Sequence, residues 1–163
     1  MATQFELDCA LMAGASYFDT RASINRFPIP ADWGKITNPD SHYSNPATGF
    51  EAVSFQRGDE IVISYAGTGP GFLIQNPEDW LANINLWKGT CDDQLREAAA
   101  YYMAIRTTHP NAEITITGHS LGGGLASLIG VFFDKAAVTF DQAPFKSSAT
   151  VGGKHRGQFS IIH

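Results

Sequence analysis

Ser120 stands in Gly118-His119-Ser120-Leu121-Gly122, with a glycine two residues away on either side. A serine hydroxyl becomes a useful nucleophile where a sharp turn presents it, and neighbours without Cβ let the backbone fold back without a clash. Alone the pattern is weak, because a chain of this length and composition produces such a window by chance roughly one time in ten. Nucleophilic serine chemistry also needs an imidazole to take the hydroxyl proton and a carboxylate to orient it, often in the order Ser, Asp/Glu, His. Asp141 directly follows the apolar run "AAVTF", and only His155 and His163 come after it. His155 lies in the glycine-rich "GGKHRGQ" and His163 is the terminal residue, a place where an imidazole is hard to order. His119 belongs to the turn itself, where the side chain beside the nucleophile points away and serves packing and hydrogen bonding. His42 and His109 read as loop residues. Each candidate has a plainer role: Ser120 as a helix cap, and Asp141, beside Gln142 and Pro144, as a strand-ending turn residue.

The elements around Ser120 decide between these readings. Glu113 to Thr117 alternate isoleucine with polar residues, and the stretch from Leu121 to about Asp134 opens on Gly122, Gly123 and Gly124 before a periodic apolar run. With a strand from Ala136 to Phe140 this makes a strand-helix-strand unit, which implies a parallel sheet with helices packed on it. A serine at that junction sits at the carboxyl edge of the sheet, where open α/β sheets bind ligands, and the helix start aims free N–H groups at the same spot. Upstream, Thr3 and Glu6 form a capping-box pattern for a helix over about Gln4 to Phe18. "NRFPIPADWGKITNPDSHYSNPATG" reads as a long connection that could hold a short strand. Phe50 to Gln56 and Glu60 to Tyr65, separated by Arg57-Gly58-Asp59, read as a hairpin, so that triplet is a turn and not an adhesion motif. "CDDQLREAAAYYMAIRTTHP" predicts a helix capped by Asp92 or Asp93 and closed by Pro110. "LANINLW" is ambiguous, and the tail after Lys146 is left unassigned.

Composition excludes several classes. The chain has 163 residues, 44% of them hydrophobic and 17% charged, and a formal charge of -5. That is the profile of one globular domain, with no basic stripe for nucleic acid and nothing to favour anionic membranes. Cys9 and Cys91 lack companions at metal-site spacing and read as buried small hydrophobes. Glu6 and Asp8 fall where a secretory leader would be apolar, and no apolar run reaches transmembrane length. The expectation is a protein that is cytoplasmic, or secreted without a standard signal peptide, and not stably inserted in a membrane.

"ITITGHSLGGGLASL" resembles the nucleophile elbow of the class 3 lipases, esterases of the α/β-hydrolase fold. "IVISYAGTGP" followed by "EDWLANI" is similar to that family's strand ending in Arg-Gly-Ser/Thr and its downstream Asn/Asp-Trp-Leu segment. The two blocks stand in the family's order, and the resemblance covers about residues 50 to 140 of a single domain spanning 1 to 163. It implies an α/β-hydrolase-like, mostly parallel sheet with helices on both faces, incomplete at its C-terminus because both triad partners usually lie farther along. It implies Ser120 as nucleophile, with the backbone N–H of Leu121 and Thr68 as oxyanion donors. Ala66 stands where the family usually has arginine, which removes an ion pair and no catalytic atom. "FDQAPF" is similar to the "LDPAGP" of pancreatic-type lipases, which makes Asp141 a candidate triad acid, whereas class 3 lipases more often have Phe-Gly there. His155 is the candidate base. Phe72, Leu73 and Trp80 form an acyl-chain wall or lid, or else merely cover the sheet. The reading is a serine hydrolase of lipid or other carboxylic esters that needs no cofactor. The alternative is a non-catalytic α/β-hydrolase-like binding module, or a fragment without a complete triad.

Overall fold

The computed structural model describes residues 1–17, 27–37, 42–67, 88–143 and 159–162, and side chains within these except at 88–92 and 159–162. Helix α1, Gln4–Ala15, starts with the reciprocal cap that its sequence announces. Thr3 Oγ1 accepts the Glu6 N–H at 3.2 Å, and the Glu6 carboxylate accepts the Thr3 N–H at 2.8 Å. The expected connection that follows contains two short strands, β1 (Gly34–Lys35) and β2 (His42–Asn45). Both lie antiparallel to β3 (Phe50–Arg57) on one edge. β3 turns through Gly58 and Asp59 into β4 (Glu60–Tyr65), with Arg57 opposite Glu60. Gly58 has φ +58°, as the first position of a tight hairpin turn requires, so the Arg-Gly-Asp triplet is turn chemistry.

α2, Lys88–Thr108, begins earlier than its sequence suggests, so Asp92 and Asp93 lie inside the helix and do not cap it. β5 (Glu113–His119), α3 (Leu121–Phe133) and β6 (Ala137–Phe140) follow as the strand-helix-strand unit, and β7 (Phe159–Ile162) supplies a strand from the unassigned tail. Asp134 ends α3 in the left-handed region at φ 51°, its N–H on the Gly130 carbonyl. The sheet runs β1-β3-β4-β5-β6-β7, with β2 beside β3. Among the described residues only the pairings from β4 to β7 are parallel. Among the described residues the sheet has a parallel part, β4 to β7, as expected, and an antiparallel edge, because the β3–β4 hairpin precedes the first crossover.

Both faces are covered. In β4, Ile61, Ile63 and Tyr65 point to one core with Ala98, Ile105, Leu125 and Ile129 of α2 and α3. Val62 points to the other, with Cys9 and Met12 of α1, Trp33 and Phe55. That alternation of strand side chains is why "EIVISY" reads as nearly continuous apolar sequence. Burial between α1 and the sheet pushes the Cys9 thiol up to about 12, aided by the adjacent Asp8 and Glu6 charges.

Candidate active site

The turn between β5 and α3 is built by steric exclusion. A Cβ on Gly122 would run into the Tyr65 carbonyl oxygen, and one on Gly118 would collide with the Gly122 backbone. Only hydrogens fit at these two points, so the end of β4, the end of β5 and the start of α3 meet backbone to backbone. Ser120 at the apex has φ 57° and ψ -124°, a region non-glycine residues rarely enter and which costs on the order of 1–3 kcal/mol. Its side chain makes no capping bond to the helix it opens. The cap reading therefore fails, and at the carboxyl edge of the sheet the half-buried Ser120 offers a hydroxyl that bonds none of the described residues.

Leu121 is the first residue of α3, so its N–H has no partner within the helix and lies at the positive end of the helix dipole. Gly67, two residues past β4, lies directly opposite: a Cβ there would be 3.5 Å from Ser120 Cβ and 3.1 Å from the His119 carbonyl oxygen. The residue after it is Thr68. Thr68 itself lies outside the described residues, as do Phe72, Leu73, Trp80 and His155.

The register places the acid candidate. His119 pairs with Phe140 across β5 and β6, so Asp141 follows at the same edge as Ser120. Asp141 is exposed and takes φ 47°, a left-handed conformation in which a glycine sits without strain. The described imidazoles are committed elsewhere or far off. His119 is exposed, and its Nδ1 is 3.3 Å from the Tyr17 hydroxyl, the hydrogen-bonding part of its expected role. His42, in β2 and not in a loop, bonds the buried Glu51 at 3.1 Å. His109 follows α2 at the opposite edge of the sheet.

Two residues of the site escaped sequence reasoning. The Tyr17 hydroxyl lies between His119 and Gly67, so close to the latter that a Cβ there would be 2.5 Å from it. In the sequence it reads as one more apolar position of the helix expected over about Gln4 to Phe18, which ends at Ala15. Gln142 looked like turn filling, yet its Oε1 accepts from Ser127 and Thr139.

A strained serine between a parallel strand and a glycine-led helix, on a mixed sheet covered on both faces, defines a lipase-like α/β-hydrolase. Two solved lipases share the fold. The Rhizopus microsporus var. chinensis lipase superposes with a TM-score of 0.60 at 14% identity, over 86% of this chain and 59% of that one. A Penicillium expansum triacylglycerol lipase gives 0.56 at 16% identity, over 97% and 68%. Within that class the chain belongs to the family described as Tle-like phospholipase domain, which it matches over residues 9–158. Extracellular phospholipase A1 of Serratia liquefaciens is 32% identical over 122 residues, covering 75% of this chain and 36% of the relative. The chain spans about a third of the length of the curated relatives it matches.

Proposed function

We propose that this domain hydrolyses lipid carboxylic esters through an acyl-enzyme on Ser120. The Ser120 oxygen attacks the ester carbonyl as its proton passes to the base, and the Leu121 N–H and Thr68 receive the oxyanion. The ester C–O bond breaks as that proton is handed to the departing alcohol, the acyl group staying on serine. Water then releases the acid. Within this chain Asp141 is the acid and His155 the base, in the order nucleophile, acid, base. Phe72, Leu73 and Trp80 form the acyl-chain wall. The family and the relative's name support a phospholipid ester as substrate and an extracellular place of action. Among the described residues no helix is long and apolar enough to cross a membrane.

The observation that carries this reading is the Ser120 backbone conformation at the α3 N-terminus, with a hydroxyl that does not cap the helix. An alkyl-fluorophosphonate probe labels the folded chain and leaves Ser120→Ala unlabelled. Folded wild type that stays unlabelled overturns the proposal. The second reading, a binding module without catalysis, is favoured by one observation: none of the described imidazoles hydrogen-bonds the Ser120 hydroxyl. It predicts lipid binding that survives Ser120→Ala with no labelling at all.

A further inference from the structure

Ser120 keeps its unfavourable backbone because both of its peptide groups are held. Its N–H donates to the Phe140 carbonyl at 3.1 Å, and its C=O accepts from Gly124 at 3.1 Å and from Ala143 at 3.0 Å. Two of these three bonds come from the segment 140–143, which leaves β6 through left-handed Asp141. Such a segment holds the serine only if it is itself held. Gln142 does this: its Oε1 accepts from Ser127 Oγ at 2.6 Å and from Thr139 Oγ1 at 3.1 Å. Thr139 is on β6 and Ser127 on α3, so one oxygen is tied to the strand before the turn and to the helix after the nucleophile. Gln142 also packs its Cβ against Gly123, at 3.1 Å from where a Cβ on that glycine would stand.

We propose that Gln142 is a positioning residue for the nucleophile, its side-chain oxygen setting the turn that clamps both peptide groups of Ser120. The inference rests on the reading of Ser120 as nucleophile. Its chemistry is specific. Both partners are hydroxyl donors, so position 142 needs an acceptor and no donor. Glutamate keeps both bonds, and leucine, of similar bulk, loses both.

The test uses the full chain. Amide exchange at Ser120 and Ala143 is followed by NMR, with the fluorophosphonate labelling rate and kcat and KM on a short nitrophenyl ester. Gln142→Leu speeds exchange at both amides about tenfold while β3 and β4 amides hold. It lowers labelling and kcat about tenfold and leaves KM within about twofold, and Gln142→Glu restores wild-type values. If Gln142→Leu does not fold, Ser127→Ala, which removes the shorter bond, gives the same pattern in weaker form. Wild-type exchange and labelling in the leucine variant, or a glutamate variant as impaired as leucine, overturns the proposal. Unlabelled wild type that still shows the exchange pattern upholds the clamp and counts against the nucleophile instead.

Discussion

At the scale of single residues, the left-handed backbone of Asp141 separates two jobs that one side chain can hold. A turn needs the conformation, and glycine supplies it without the Cβ penalty. A triad needs the carboxylate. Asp141→Gly therefore keeps stability or raises it by up to about 1 kcal/mol, read by urea titration. Under the proposed acid role it lowers kcat by roughly 10³–10⁴. Turnover within a few-fold of wild type assigns the residue to the turn. Ser120 was legible in the sequence because glycines at fixed offsets leave a trace of where backbones touch. The αL state of Asp141 was not, since it depends on how the chain after β6 closes over the elbow. Tyr17 was still less so: its partner His119 is 102 positions away, and a tyrosine after an apolar helix carries no sign of what its hydroxyl meets.

At the scale of elements, the elbow is a three-way junction with no room for a methyl group. Gly122→Ala sets a carbon against the Tyr65 carbonyl, and relief requires moving β4 or α3. The expected cost is about 3 kcal/mol or more, measured as a lowered urea midpoint, or failure to fold. Gly34→Ala, with open space around it, serves as the control. The strand-helix-strand unit was readable because period-two and helical patterns change at the serine itself. The start of α2 was not, because two adjacent aspartates imitate a cap wherever they fall. β1, only two residues of Gly-Lys, has no pattern of its own and exists as a strand because β3 offers it partners.

At the scale of the molecule, one polar knot fastens the α1 layer to the sheet. Asp8, 4% exposed, accepts from Trp33 Nε1 at 3.1 Å, Gln4 Nε2 at 2.9 Å and Arg57 at 3.5 Å. The Arg57 guanidinium lies 4.5 Å from the Trp33 ring centre. Asp8→Ala leaves the buried Trp33 Nε1–H without its acceptor and strips Arg57 of one of its two carboxylates, Glu60 remaining at 2.9 Å, and costs about 2–4 kcal/mol. A thermal melt should fall by roughly 5–15 °C for a chain of this size, with fluorophosphonate labelling unchanged below the transition. Composition and alternating hydrophobicity revealed the layered fold. The antiparallel half of the sheet was visible only as its central hairpin, since pairing across its outer side is a property of distant segments meeting.

That outer side also bears on edge-to-edge pairing with another chain. β1 and β2 cap the same side of β3 as two pieces of two and four residues. Among the described residues a neighbouring polypeptide arriving there finds two short pieces and no long straight row of amides to copy, and a broken margin is a poor template for fibrils.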